Sequence, residues 1–378
     1  MLIKNCNIVY YDKIEKGSVL IKDGKIKEIN PQDQKYLNDD IFDAEGLYLA
    51  PGFIDVHIHG ADGCDTMDGT AQSINKISKA IVEHGVTAFT PTTMTVSIEE
   101  IRNSLKAIKE SKENGTEGAQ VLGAHLEVPF ISYKALGAQN KNYVLEPTID
   151  NFKKISDGYE DAIISLTLAP EVEGAGELIK YISEKGIVCS IGHTNATYEE
   201  SIKAIKLGAS HSTHLYNAMT GFKHRSPGVV GATFDTDITT ETISDGIHIS
   251  YPALRVAYKQ KGTDKVLLVS DSMMACCMPD GDYSLGGQKV IVKNGEARLE
   301  DGVLAGSVLT LDKAVRNIYK NTNLKLNEIV KMATYNGARH CKVHDHKGLI
   351  KEGYDADIIL FDDDINIKKV FVNGEEKF

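Results

Sequence analysis

Eight apolar runs, rich in β-branched residues, recur through the middle of the chain, with helical segments between most of them. They read GFIDVHIH, GVTAFTPTT, QVLGAHLEV, AIISLTLAP, GIVCSIGHT, ASHSTHLYNAM, ETISDGIHI and KVLLVSDS. Strands that are buried on both faces and alternate with helices form parallel sheets. Eight such strand–helix units fit an α/β fold, a closed (β/α)₈ TIM-like barrel.

A doubly wound open sheet is the alternative α/β architecture. Such a sheet normally carries a Gly-rich phosphate-binding turn after its first strand. The motifs GxGxxG and GxxxxGK(S/T) are both absent from this sequence. Their absence favours the barrel.

Helix signals lie between the apolar runs. Ile74, Ile77 and Ile81 fall on one helical face. Capping boxes beginning at Ser97 and at Thr197, each followed three residues later by Glu, predict the starts of two further helices. These patterns support the alternation of strands and helices.

Both ends of the chain have the character of a small β domain. Tight-turn pairs, Asp23-Gly24 near the start and Asn373-Gly374 near the end, lie between short apolar or alternating runs. We therefore predict a β-sandwich domain made of residues 1–49 and 345–378, and a barrel domain made of residues 50–344.

The chain of 378 residues is acidic, with 42 Lys and Arg against 53 Asp and Glu, a formal net charge of −11. Binding to nucleic acid or to an anionic membrane needs clustered basic residues, so neither partner is expected. No apolar run is long enough to span a membrane, and the start, MLIKNCNIVYYDK, has no secretory signal, which predicts a cytoplasmic protein. The six cysteines form no Cys-x-x-Cys pair.

Nearly every apolar run ends in a polar or ionisable side chain. These side chains are His57, His59, Glu127, His193, His214, His248 and Asp271. In a barrel the C-terminal ends of all strands face one mouth, so residues that are distant in sequence converge there. The sequence therefore predicts the functional site at this mouth.

Two His-x-His motifs have different surroundings. His57 and His59 have the two-residue period of a strand, so both imidazoles point to one side, as two ligands of one metal must. Their run is apolar, and a buried imidazole without a partner is costly. His344 and His346 lie in the polar stretch HCKVHDHKG, where solvated loop histidines are expected. We predict metal ligation by the first pair only.

The other candidates complete a metal site. Glu127 ends an apolar run, so its carboxylate needs a metal or a basic partner. Imidazole and carboxylate ligands without thiolates suit Zn²⁺ or Fe²⁺ in a catalytic site. Asp271 either exchanges a proton with a metal-bound water or caps the next segment. His125 is either a partner of a metal ligand or a core histidine.

The motifs PGFIDVHIH, HLE, GHT, THLYNAM, DGIH and SDSM, in this order, resemble the amidohydrolase superfamily, and within it the N-acetylglucosamine-6-phosphate deacetylases. The resemblance implies a (β/α)₈ barrel beside a small β-sandwich, a homodimer, and hydrolysis of the acetamide of a phosphorylated amino sugar, N-acetylglucosamine 6-phosphate. It implies a principal metal held by Glu127, His193 and His214, and a second ion at His57 and His59.

The same resemblance implies roles for further residues. Asp271 matches the general acid/base, and His248 polarises the substrate carbonyl with the metal. Arg225 is expected to bind the phosphate, either within its own chain or across a dimer interface. Substrate contacts match these residues and Ala138, Gln139, Asn217, Ala218, Asp245, Leu304, Ala305 and Gly306.

Two departures from the family pattern and two rival functions remain open. Val128 stands where the family usually has Gly, beside a metal ligand, and Ser272 stands where Ala is common. One rival is a deacetylase of N-acetylgalactosamine 6-phosphate or of another N-acyl substrate. The other is a non-catalytic interaction protein built on the same barrel.

Overall fold

The computed structural model describes residues 1–31, 40–127 and 129–378, so Val128 lies outside the described residues. Each of the eight predicted apolar runs contains a strand. The strands of the described residues are β1 (Leu2–Val9), β2 (Ile14–Lys22), β3 (Lys25–Ile29), β4 (Ile41–Asp43), β5 (Tyr48–Pro51), β6 (Phe53–Ile58), β7 (Gly60–Ala61), β8 (Cys64–Asp65), β9 (Val86–Pro91), β10 (Gln120–Val121), β11 (Ala124–Glu127), β12 (Ile163–Leu168), β13 (Val188–Ile191), β14 (Ala209–Ser212), β15 (Thr239–Ile243), β16 (Val266–Val269), β17 (Gly281–Leu285), β18 (Gln288–Lys293), β19 (Glu296–Leu299), β20 (Ile358–Phe361), β21 (Ile367–Val372) and β22 (Glu375–Glu376).

Helices separate most of these strands. They are α1 (Ala71–Val82), α2 (Ile98–Asn114), α3 (Ile149–Ser156), α4 (Ala175–Glu184), α5 (Tyr198–Leu207), α6 (Gly228–Asp235), α7 (Tyr251–Lys261), α8 (Leu311–Asn321), α9 (Leu326–Ala333) and α10 (Tyr335–His340). The capping boxes at the starts of α2 and α5 are confirmed, since Ser97 and Thr197 each accept a hydrogen bond from the backbone of the Glu three residues later. Across the described part of the chain, no helix is long and apolar enough to cross a membrane.

Parallel strands form the centre of the molecule. One sheet has the order β10-β9-β6, and another runs through β11, β12, β13, β14, β15 and β16 in sequence order, with every pairing parallel. Single parallel bridges connect the two sheets, one from Thr92 to His125 and one from Ile58 to Ser272. All strands therefore direct their C-terminal ends the same way around the central core.

The two ends of the chain share one sheet. Its order is β22-β21-β20-β5-β1-β2-β3, with β4 beside β1. Strand β20 pairs antiparallel with β5, so that Ile358 faces Pro51. Ile3, Ile8 and Phe371 lie in its separate apolar core.

A smaller antiparallel sheet follows the last parallel strand. It contains β17, β18 and β19, joined by tight turns at Gly286-Gly287 and Asn294-Gly295. Strands β18 and β19 form a hairpin, and β17 pairs with β18 on its other side. Leu285 and Arg298 of this sheet line a cavity that Glu127 and His193 also line.

Candidate metal and substrate site

Six of the predicted side chains meet at the C-terminal ends of the parallel strands. The ligand atoms of His57, His59 and Asp271 lie within 4.8 Å of one another, and so do those of the triad Glu127, His193 and His214. All six residues are buried, with at most 7% of their surface exposed. Two adjacent groups with the composition of a metal site thus lie in one place.

Glu127 is the centre of this cluster. Its Oε1 atom lies 3.2 Å from His193 Nε2, 3.1 Å from His214 Nε2 and 3.5 Å from His57 Nε2. Its Oε2 atom lies 3.3 Å from His59 Nε2. One carboxylate therefore contacts both triads, as a bridging ligand between two ions does.

The backbone turns sharply where three of these residues leave their strands. His193, His214 and Asp271 have positive φ angles of 46°, 28° and 47°. This left-handed conformation is uncommon for residues other than glycine, and such strain concentrates at functional sites. At each of the three positions this turn directs the side chain toward the shared site at the C-terminal ends of the parallel strands.

The second ring nitrogen of three histidines is held by a fixed acceptor. His193 Nδ1 lies 3.1 Å from the carbonyl oxygen of Ala135, and His59 Nδ1 lies 3.2 Å from that of Thr92. His57 Nδ1 lies 2.9 Å from Glu241 Oε2. Partners of this kind fix the tautomer in which Nε2 is free to bind a metal.

Glu241 is a residue that our reading of the sequence missed. It is 1% exposed, and besides His57 it contacts His211 Nε2 at 3.1 Å and accepts a hydrogen bond from the backbone of His214. The signal was present, because Glu241 begins the apolar run ETISDGIHI, and a carboxylate there needs a partner as Glu127 does.

The charges of the cluster are strongly coupled. Burial raises the pKa of Glu127, but His57 and His193 outweigh it and hold this pKa well below its usual range. Burial lowers the pKa of His59, yet its hydrogen bonds to Asp271 and Glu127 raise it to about 9. The buried carboxylates and imidazoles therefore favour each other's charged forms.

The donor set fits a divalent metal ion. Nitrogen and carboxylate oxygen converge without a thiolate, a combination typical of catalytic Zn²⁺ or Fe²⁺ sites. His57 Nε2 is buried and has no hydrogen-bond partner. A buried polar atom without a partner is costly, and a metal ion would satisfy it.

A cavity of about 330 Å³ opens beside the cluster. His59, Glu127, His193, His214 and Asp271 line its floor. Seven predicted substrate contacts line its walls: Ala138, Gln139, Asn217, Ala218, His248, Leu304 and Gly306. The basic residue Arg298, which was not predicted, also lines them. The volume suits a small polar substrate.

Comparisons with known proteins decide the family. Residues 48–377 match the model of the amidohydrolase family. The chain belongs to this family. This amidohydrolase is 40% identical over 376 residues to the N-acetylglucosamine-6-phosphate deacetylase of Lysinibacillus sphaericus. The aligned region covers 99% of this chain and 97% of that protein.

Two further relatives bear on the substrate. A crystal structure of N-acetylglucosamine-6-phosphate deacetylase from Pasteurella multocida matches with a TM-score of 0.94 at 31% identity, covering 99% of this amidohydrolase and 98% of that chain. The N-acetylgalactosamine-6-phosphate deacetylase of Escherichia coli is 33% identical over 356 residues, 94% of this chain and 93% of that protein. Relatives of both sugar specificities therefore exist.

Three predicted substrate residues of the amidohydrolase lie outside the cavity lining. Ala305 is fully buried behind it. Asp245 holds His248, since its Oδ2 atom lies 2.7 Å from His248 Nδ1. Arg225 is exposed on the loop after β14 and does not line the cavity of its own chain.

Gln139 and His125 complete the surroundings of the ligands. Gln139 donates a hydrogen bond of 2.9 Å to Glu127 Oε2 and accepts one from the backbone of Thr95. His125 Nε2 lies 2.8 Å from the hydroxyl of Thr167, and its ring packs edge-on against His57 at 4.6 Å. His125 is thus both hydrogen-bonded and packed against a candidate ligand.

Proposed function

We propose that this amidohydrolase hydrolyses the acetamide of N-acetyl-D-glucosamine 6-phosphate, giving acetate and D-glucosamine 6-phosphate in amino sugar catabolism or recycling. One observation carries the proposal: two buried candidate ligand triads, one of which contains Asp271, meet at a cavity that His248 also lines. The full-length similarity to deacetylases of this sugar phosphate supports the choice of substrate.

One or two divalent ions, Zn²⁺ or Fe²⁺, complete the site in this proposal. Glu127, His193 and His214 would hold the principal ion, and His57 with His59 the second. A bound divalent ion supplies Lewis acidity, which lowers the pKa of water toward about 7 and polarises a carbonyl.

Asp271 moves the proton. Its Oδ1 atom lies 3.5 Å from His57 Nε2 and 3.3 Å from His59 Nε2, and it lines the cavity. Burial raises the pKa of Asp271, but the charges of His57 and His59 outweigh burial and lower it, so the side chain is an ionised carboxylate, the form that can accept a proton. The carboxylate takes the proton of the attacking water at Oδ1 and delivers it to the departing amine.

His248 stabilises the charge that develops on the acetamide oxygen. It lines the cavity, and the carboxylate of Asp245 accepts a hydrogen bond from its Nδ1. Burial lowers the pKa of His248, but the bond to Asp245 outweighs it and raises this pKa. In the protonated form of His248, which Asp245 favours, Nε2 also carries a hydrogen that it donates to the oxyanion.

Two arginines are available for the phosphate. Arg298 lines the cavity, with its Nε atom 2.8 Å from Glu296 Oε2. Arg225 is exposed on its loop and does not line the cavity of its own chain, which leaves it available to a second copy. We therefore propose a homodimer in which Arg225 of each protomer binds the phosphate in the partner's cavity. Its planar guanidinium would donate two parallel hydrogen bonds to two phosphate oxygens.

The complete architecture is also part of the proposal. The bridges from Thr92 to His125 and from Ile58 to Ser272 support closure of the parallel strands into a (β/α)₈ barrel of residues 50–344. The shared sheet of both termini supports a β-sandwich domain of residues 1–49 and 345–378. A cytoplasmic location stays a prediction from the sequence.

Acetate release from three sugars tests the activity. The metal-loaded protein is expected to release acetate from N-acetylglucosamine 6-phosphate with a much higher kcat/KM than from N-acetylgalactosamine 6-phosphate. It should act only weakly on unphosphorylated N-acetylglucosamine. A preference for the galactosamine substrate would establish the first rival. A metal-loaded protein that releases no acetate from any of them would support the non-catalytic one.

Replacement of Asp271 by Asn tests the mechanism. Metal content should stay unchanged while kcat falls about 100-fold to 10,000-fold, the usual contribution of general acid–base catalysis. Turnover near that of the unaltered enzyme would remove Asp271 from its proposed role.

A further inference from the structure

A second cavity, of about 580 Å³, lies away from the candidate active site and shares no lining residue with it. Its lining comes from the loop after β7, from α1 and the turn that follows, and from the loop after β16; it includes Asp62, Lys76, Glu83, His84 and Cys277. The proposed deacetylation uses none of these residues.

Cys277, His84 and Asp312 form a chain of contacts at this cavity. Cys277 is exposed, and its Sγ atom lies 3.4 Å from His84 Nε2. On the other side of the ring, His84 Nδ1 lies 3.2 Å from Asp312 Oδ1. Asp312 is 6% exposed, and its Oδ1 atom makes no hydrogen bond.

This geometry is that of an activated nucleophile. The two ring nitrogens face different partners, so Cys277 and Asp312 cannot bind one metal ion together with His84. A thiol, an imidazole and a buried carboxylate in a row instead allow the imidazole to take the thiol proton while the carboxylate stabilises the imidazolium.

The neighbouring charges favour the thiolate. Hydrogen bonds from Cys276 and from His84, aided by the charge of Lys313, outweigh burial and lower the pKa of Cys277 to about 5. Burial lowers the pKa of His84, but Asp312 and Cys277 outweigh it and raise it to about 10. The cavity's other charges partly cancel, since Lys76 Nζ lies 3.4 Å from Asp62.

We propose that Cys277 is a reactive thiolate, held by His84 and Asp312, and that small peroxides entering this cavity oxidise it to a sulfenic acid. The sulfur attacks one peroxide oxygen, the S–O bond forms and the O–O bond breaks. The sulfur loses two electrons to the peroxide, and the leaving hydroxide takes the proton of the His84 imidazolium and departs as water. A thiol reductant restores Cys277.

Peroxide treatment with a 1,3-diketone trap tests the proposal on the full-length enzyme. Mass mapping should find the sulfenic acid adduct at Cys277 before Cys64, a partly exposed cysteine that serves as the internal comparison. His84→Asn should lower the initial rate of adduct formation at pH 5.5 about tenfold, because the thiolate fraction falls. Equal rates in the two proteins, or labelling that begins at Cys64, would overturn the proposal.

A pH profile separates activation from mere accessibility. The rate of alkylation of Cys277 by iodoacetamide should follow the thiolate, with a midpoint near pH 5, and the midpoint should move up by about one pH unit or more in His84→Asn. Cys277→Ser should lose the label at this position. Deacetylase activity should be unchanged in both variants, which shows that they are folded; an unshifted midpoint in His84→Asn contradicts the role of the imidazole.

Discussion

The molecule contains two His-x-His pairs with the same spacing and opposite surroundings. His57 and His59 end a buried strand and are 0% and 2% exposed. His344 is exposed, and His346 keeps 40% of its side chain in solvent while it contacts the exposed carboxylate of Asp345 at 2.7 Å. The same spacing therefore occurs both in a buried strand and in an exposed loop.

Burial accounts for the difference. A solvated imidazole satisfies its nitrogens with water, whereas a buried one needs protein partners or a metal. The His57 ring binds Glu241 through Nδ1 and leaves Nε2 without a hydrogen bond, 3.5 Å from both Glu127 and Asp271. At the exposed pair, each imidazole is free to turn toward water.

Replacing Glu127 by Gln is the strongest test of the buried pair. The carboxylate oxygens of Glu127 lie within 3.5 Å of Nε2 atoms of both triads, and without its charge four imidazoles face one another. We expect loss of bound metal and a fall in kcat/KM of at least about 1,000-fold, because a metal contributes several kcal/mol to the transition state. Metal analysis and acetate release measure both effects; normal metal content would contradict the bridging position.

Replacing His57 and His59 together by Asn removes the buried pair itself. We expect the number of bound ions to fall by one and kcat/KM to fall on the order of 100-fold, since Glu127, His193 and His214 remain to hold an ion. Metal analysis of both proteins after loading with excess Zn²⁺ tests this. An unchanged ratio of metal to protein would show that the pair holds no ion.

The sequence allowed the strands and the site's location to be predicted for a physical reason. Apolar runs such as VLLV before Asp271 mark strands buried on both faces, and parallel strands bring their C-terminal ends together. The convergence of Glu127, His193 and His214 follows from this topology.

The residues that were not predicted make contacts between distant parts of the chain, and sequence periodicity does not encode such contacts. Arg298 reaches the cavity from β19, which no barrel rule places there. One of the two histidine partners of Glu241, His57, is 184 residues away in the sequence. Arg225 is exposed on the loop after β14 and does not line the cavity, and strand periodicity does not predict the position of such a loop residue.

Replacing Glu241 by Gln tests the support behind the buried pair. The carboxylate accepts hydrogen bonds from His57 and His211, and an amide places a donor against at least one of these rings. Loss of such a partner usually costs about 10-fold to 100-fold in metal affinity, and we expect the lower end because His59 is held separately. Competition with a chelator measures the affinity; Glu113→Gln, on the exposed face of α2, is the matched control.

Replacing His344 and His346 together by Asn is the smallest expected effect and the closest control for the buried pair. The same two changes, at the same spacing, should leave metal content unaltered and change kcat/KM less than about twofold. The exposed contact between His346 and Asp345 should also contribute no more than about 1 kcal/mol to the free energy of unfolding. If this variant lost an ion, the distinction between the two pairs by burial would be wrong, and the spacing itself would have to be the signal.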